Sequence, residues 1–452
     1  MDKPRIFVLG IDGGSWNLID RFISNGSLPN FKKLKEKGAW GNLISSLPPV
    51  TYPAWKCYST GKNPAKFGVF AWVGIDFGKN RMEVYDSRDF KSKEIWDYLG
   101  EAGYSCGVIN MPSTFPPKKI NGFMVGDILS HMNMVFTYPP GLKKELIRSG
   151  YKIRPDYEFT LGFFEKALPE FKKTIKSQFD LALKKMPSTD FMHLTIFHTD
   201  QAQHFLWNFM DDEKSPYKGY LEEVWKEMDL NLGRLLKKLP KDTYLIIMSD
   251  HGFCMQKNVF YINKWLENEG YLVSKKDPVS LLSRLGINKE RILIAVNALG
   301  AKGIIKSILP KKILEFYRRV PTKQNNIGVM GATASINWEK SKVISVGEGP
   351  IYINKNVVRT KKEYNQIRSE LIKKLEGIKS PLTNGKAIKK VYKKEDIYSG
   401  EFYEKAPDLL ALWEEGCEIR GYITQQKSCW AYDNQWKAHH KREGIFAFYG
   451  GG

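Results

Sequence analysis

Thr243 to Phe253 reads TYLIIMSDHGF. Residues 244–248 form a short apolar run, which predicts a fully buried strand. It ends in Ser249, Asp250, His251 and Gly252. A carboxylate and an imidazole at the carboxyl end of a strand, with a glycine to turn the backbone, suit a metal site, because open α/β sheets collect ligands at that edge. Asp with His offers mixed oxygen and nitrogen donors, a set that fits Zn²⁺ or Mn²⁺. A strand-end turn capped by Asp250 explains the same residues, so the motif decides nothing alone.

Working outward, residues 5–11 read as a second buried strand, closed by Asp12, Gly13 and Gly14. Residues 17–37 carry helical periodicity up to Gly38. A strand is expected at 39–46, followed by the proline-fixed loop LPPVTYPAW and a helix to Thr60. Further helices are expected at 91–102, 142–149, 164–186 and 217–239, with strands at 104–110 and 191–197. Strands alternating with helices predict an α/β fold with a mostly parallel central sheet flanked by helices on both faces. Beyond the opening stretch, strands are expected at 342–346, 350–354, 406–413 and 445–449, with a helix at 363–378.

The chain has 452 residues, enough for one large α/β domain with insertions or for two to three domains. Residues 1–255 are expected to hold the first part of a catalytic core, 256–341 an inserted cap, and 342–452 the second part. Within the insertion, 278–321 is basic and amphipathic. It reads first as cap helices over the site mouth with a solvated charged face, and alternatively as a patch resting on an anionic membrane. Lys and Arg outnumber Asp and Glu 70 to 49, for a net charge of +21. That balance favours anionic partners, a small phosphorylated substrate among them. No nucleic-acid-binding module is recognisable, so no specific nucleic acid is expected. Five irregularly spaced cysteines without a CxxC pair point to neither a disulfide framework nor a structural zinc site. A soluble protein of the reducing cytoplasm, peripheral to a membrane under the second reading of 278–321, is the expectation.

Other chemistry-bearing residues stand at separated places. Thr51 lies in the proline loop, and Asp200 and His204 lie in HTDQAQHF. If a helix starts near Asp200, a spacing of four puts both on one face. His440 lies in HHKREGIF, just before a strand. Each has an ordinary explanation: a helix cap for Asp12, a loop hydroxyl for Thr51, a surface pair for Asp200 and His204, a solvent-exposed ring for His440. Trp55 either lines a substrate pocket, stacking on a base or flanking an apolar alcohol, or is a core aromatic. His193 and His198 read as satisfied core histidines.

Together the order Asp12, Thr51, Asp200, His204, Asp250, His251, His440 resembles the alkaline phosphatase superfamily, and more narrowly its type I phosphodiesterase/nucleotide pyrophosphatase branch in compact prokaryotic form. VLGIDGGSW, PPVTYPAWKCYSTGKNPAKFGVF, SDHGF, WEKSKVISVGEGPIYIN, YEKAPDLL and HKREGIF carry the resemblance over nearly the whole chain. It implies a hydrolase of phosphate esters, diesters before monoesters, with two divalent metal ions, Zn²⁺ or alternatively Mn²⁺. One ion would be held by Asp12, Thr51, Asp250 and His251, and the other by Asp200, His204 and His440. Thr51 would be the nucleophile, passing through a phospho-threonine. The family spacing to Gly444 selects His440 over His439. The loop lacks the Cys or Ser and the Arg of the sulfatase signature. Two other readings stand beside this one: a phosphotransferase moving a head group to or from a lipid or glycan, and a non-enzymatic anion-binding protein.

Overall fold

Apolar runs without charge can be buried on both faces, and here they form the centre of a sheet. The computed structural model describes residues 5–130, 132–159, 163–275, 335–421, 423, 428–431 and 436–450. Its main sheet has eight strands, in the order Ala39–Ile44, Glu443–Tyr449, Thr243–Met248, Arg5–Ile11, Phe191–Ile196, Cys106–Ile109, Gly122–Val125 and Thr137–Tyr138. The five strands from Thr243–Met248 to Gly122–Val125 are parallel to one another. Antiparallel strands close both sides. The fold is thus α/β with a mostly parallel centre.

Alternation along Arg5–Ile11 divides the core. Phe7, Leu9 and Ile11 face a large cluster with Ile19, Phe31, Phe179, Trp225 and Leu232, drawn from helices Trp16–Ser24, Pro29–Lys37, Phe164–Lys185 and Tyr220–Lys238. Val8 faces the other way, towards Trp55, Trp96 and Val108. The helix expected over 17–37 is two helices. Gly26 takes φ +84° and Pro29 opens the second helix, so the chain turns between them. Residues 91–94 precede the Ile95–Glu101 helix rather than beginning it, and Glu94 is its cap.

The second half of the chain builds a separate antiparallel sheet: Val343–Ser345, Pro350–Ile353, Leu409–Trp413 and Ile388–Lys393. Most of the expected cap, 276–334, lies outside the described residues, and so does the whole of the 278–321 patch. The described part of the expected cap, 256–275 and 335–341, packs with the second sheet. Asn258–Tyr261 is a strand pairing with Cys417–Arg420, and Ile262–Asn268 is a helix. Phe260, Ile262 and Leu266 pack with Ile344, Ile351 and Leu409 in the core of the second sheet. Among the described residues of 342–452, only the Glu443–Tyr449 strand joins the main sheet, while the Ala438–Lys441 strand reaches the site as the antiparallel partner of Gly252–Met255. Among the described residues no helix is long and apolar enough to cross a membrane.

Candidate metal centre

Parallel strands point their carboxyl ends to one edge, and three carboxylates stand there. Asp12 follows Arg5–Ile11, its N–H extending the ladder to the Ile196 carbonyl (3.1 Å). Gly13 then takes φ +69°, where a Cβ would also meet the Phe253 ring at 2.4 Å, so only glycine fits the turn. Its N–H donates to Asp250 Oδ1 (3.2 Å). Asp250 and His251 follow Thr243–Met248. Ser249 between them and the strand donates to the Gly14 carbonyl (3.1 Å) and accepts from Ile445 N–H (2.8 Å), pinning that strand end.

Asp200 and His204 share one face of the His198–Leu206 helix, with His204 Nε2 3.5 Å from Asp200 Oδ2. Thr199 and Gln203 of the same helix donate to the carbonyls of Asp12 (2.7 Å) and Gly13 (3.1 Å), locking it onto the first strand end. The sequence reading missed both. Their own four-residue spacing beside Asp200 and His204 was the available signal. His440 arrives on the Ala438–Lys441 strand, opposite Phe253 in register. Its ring stacks on His251 at 3.6 Å, and its Nε2 lies 3.3 Å from Asp200 Oδ1. His439 points away from the site, its Nδ1 3.9 Å from Glu418, as alternation along a strand requires. Thr51 opens the Thr51–Thr60 helix, Oγ1 3.4 Å from His251 Nε2.

The seven residues therefore form two adjoining buried groups. Asp12, Asp250 and His251 converge within 4.8 Å, as do Asp200, His204 and His440. His251 Nε2 lies 4.0 Å from Asp200 Oδ1, so the groups share a border. The donor set fits cations. Each histidine turns Nδ1 to a backbone carbonyl: His204 to Ala438 (2.8 Å), His440 to Pro49 (3.2 Å) and His251 to Gly252 (3.2 Å). That fixes the tautomer that leaves Nε2 free to coordinate. Asp12 Oδ1, Asp200 Oδ1, Asp250 Oδ2 and His440 Nε2 are buried without a hydrogen-bond partner. Orphaned polar atoms at such depth are unfavourable unless something charged meets them.

The electrostatics carry the same signature. Burial raises Asp12 well above the usual carboxylate range, with repulsion from Asp250 and Asp200 adding to it. Burial and Asp200 push Asp250 up to about 7. Burial also acts against charge on Asp200, but His204 and His440 outweigh it and hold that carboxyl down to about 2. Burial pushes His204 down to about 4, and burial together with His440 drives His251 well below its usual value. His440 is shifted the other way: burial lowers it, but its contact with Asp200 outweighs burial and raises it above the ordinary imidazole value.

Trp55 corrects the substrate-contact expectation. It is fully buried, and its indole N–H donates to Asp12 Oδ2 (2.9 Å). Gly10 leaves room for it, since a Cβ there would stand 2.5 Å from the ring. It orients a carboxylate and lines no open pocket. His193 bonds Tyr58 and Thr195, and His198 bonds Gln178, Gln201 and the Ile153 carbonyl. Neither touches the two groups, and burial pushes them down to about 3 and about 4. Trp436 stacks on His204 at 3.8 Å, and Arg420 lies 4.6 Å over that indole.

Strand-end carboxylates, imidazoles and a helix-borne threonine thus meet at one edge of a sheet of alkaline-phosphatase-like architecture. The chain belongs to the family described as type I phosphodiesterase / nucleotide pyrophosphatase, whose sequence profile matches residues 6–442. It is a phosphoric ester hydrolase by that membership. Solved structures share the fold at low identity. Phosphonoacetate hydrolase from Sinorhizobium meliloti 1021, in complex with phosphonoacetate, superposes with TM-score 0.61 at 14% identity over 99% of this chain and 89% of its own. Alkaline phosphatase PafA gives 0.54 at 12%, covering 100% and 91%. Murine ectonucleotide pyrophosphatase / phosphodiesterase 5 with AMP gives 0.51 at 15%, covering 99% and 88%. No curated protein sequence matches the chain.

Proposed function

We propose that the protein hydrolyses phosphodiesters through a covalent phospho-Thr51. The observation that carries this is the pair of buried donor groups meeting beside the Thr51 hydroxyl. Asp12, Asp250, His251 and Thr51 would hold one divalent ion, and Asp200, His204 and His440 the other. Zn²⁺ suits these oxygen and nitrogen donors, with Mn²⁺ as the alternative. When bound, such ions lower the pKa of coordinated hydroxyls and neutralise charge on phosphoryl oxygens.

The chain's own residues do the rest. Thr51 sits at the first turn of its helix, backed by the rigid Val50 and Pro49, so its oxygen is held in place for attack. Thr51 Oγ loses its proton and bonds phosphorus, while the bond from phosphorus to the leaving alcohol oxygen breaks and that oxygen takes up a proton. Water then attacks phospho-Thr51, releasing the phosphomonoester and restoring the hydroxyl. His251 Nε2 stands 3.4 Å from the hydroxyl with His440 stacked on the His251 ring at 3.6 Å, and Trp55 holds Asp12 Oδ2 by a hydrogen bond. Contact of 278–321 with an anionic membrane and a cytoplasmic setting remain proposals resting on charge pattern and composition alone.

The test is turnover of bis-p-nitrophenyl phosphate and p-nitrophenyl phosphate with Zn²⁺, Mn²⁺ or EDTA. Diester turnover that EDTA abolishes is expected, with Thr51→Ala slower by about 10³-fold or more. No turnover of either ester with any metal overturns the reading.

A further inference from the structure

Trp436, Lys437 and Ala438 lead into the Ala438–Lys441 strand and fasten it to the His198–Leu206 helix at His204. Lys437 N–H donates to the His204 carbonyl (2.5 Å), and His204 Nδ1 donates to the Ala438 carbonyl (2.8 Å). Trp436 lays its indole on the imidazole, ring centres 3.8 Å apart and planes 26° from parallel. Phe253 meets the same ring at 4.8 Å, close to edge-on. His440 and His251 stack on each other at 3.6 Å, but His204 stands 5.2 Å from His440 with the planes tilted by 40°. The face of His204 is therefore covered by Trp436 and not by another ligand.

That cover matters because the torsion that turns an imidazole has broad wells. The bond from Nδ1 fixes the tautomer but lets the ring rock about it, and a face-to-face neighbour stops the rocking. The indole is itself held. The Arg420 guanidinium lies 4.6 Å over it, a cation drawn to an aromatic face. Arg420 Nε in turn donates to Glu418 Oε1 (2.5 Å), with 12% and 2% of the two side chains exposed. Both stand on Cys417–Arg420, the strand parallel to Asn258–Tyr261. Trp436 is only half-buried, and the described apolar clusters do not include it. Among the described residues its ring meets His204 and Arg420, so its packing serves the site rather than the core.

We propose that Trp436 is a positioning residue for the second cation: it fixes the plane of His204 so that Nε2 faces an ion shared with Asp200 and His440. This rests on the two-ion reading above and deepens it. The indole supplies no ligand atom and acts only through His204. Its loss should therefore be felt by one ion and not by the other.

The experiment titrates Zn²⁺ into the metal-free full chain by calorimetry, comparing wild type with Trp436→Ala, Trp436→Phe and His204→Ala. His204→Ala marks which binding event belongs to the second group. Trp436→Ala is expected to weaken that event by about ten- to a hundredfold and to leave the other at wild-type affinity. The metal-free melting temperature should change little, because the side chain removed is half-exposed. Trp436→Phe keeps a stacking ring and is expected to recover most of the lost affinity. Both events at wild-type affinity in Trp436→Ala, both weakened alike, or Phe no better than Ala, overturns the inference while the two-ion reading stands. A wild type that binds a single zinc ion fails the two-ion reading first and takes the inference with it.

Discussion

Trp55 illustrates what single side chains contribute here. Its indole is the hydrogen-bond partner of Asp12 Oδ2, which leaves Oδ1 for a cation. Trp55→Phe keeps the packing and removes that bond. Metal affinity should fall by about ten- to a hundredfold, read by chelator competition, with little change in fold. Lys56, one residue on, is buried against Glu94 at 2.5 Å, and Lys118 reaches the other Glu94 oxygen at 2.9 Å. Burial works against the Glu94 charge, but Lys56 and Lys118 outweigh it and hold the carboxyl below its ordinary value of 4.5. Burial also pulls the Lys56 ammonium down in spite of Glu94. The carboxylate, with two ammonium neighbours, carries the pH argument. Its contribution to stability is complete above pH 4.5 and is lost as pH falls through the lower folded value. Glu94→Gln should cost about 3–5 kcal/mol near neutral pH by stranding Lys56. It should also remove this part of the acid-side loss, both read by urea unfolding across pH.

Elements decide which residues can meet. Gly252 opens the strand whose antiparallel pairing carries His440 to His251, and a Cβ there would stand 2.0 Å from the Glu443 carbonyl oxygen. Gly252→Ala should destabilise the fold by about 1–3 kcal/mol and loosen metal binding at Asp200, His204 and His440, checked by denaturation and metal titration. This is also the scale at which the sequence was most and least legible. Asp12, Asp200 and Asp250 could be found because each follows a buried run whose periodicity fixes a strand, and parallel strands share one carboxyl edge. Asp200 and His204 could be paired because helical spacing is local. The pairing of Gly252–Met255 with Ala438–Lys441 was invisible, since its partners lie far apart in sequence and neither is apolar enough to announce a strand. Cys417–Arg420 and Gly122–Val125 were missed for the same shortness. The Trp55 bond could not be read because a side chain's direction depends on tertiary packing.

At the scale of the whole molecule, the site is a closure of distant parts. Strand ends of the main sheet supply Asp12, Asp250 and His251, helices supply Thr51, Asp200 and His204, and the Ala438–Lys441 strand supplies His440. Cations binding there should tie these parts together. Free metal at about 100 times its dissociation constant should stabilise the fold by about 2.7 kcal/mol per site, and EDTA should reverse it. Calorimetry with and without chelator measures that directly. The central claim is that the buried groups hold two cations, one of them at Thr51. Anomalous scattering from crystals grown with Zn²⁺ tests it most directly. Two peaks are predicted, one among Asp12, Thr51, Asp250 and His251 and one among Asp200, His204 and His440. A single peak, or zinc bound elsewhere with both groups empty, would contradict the account.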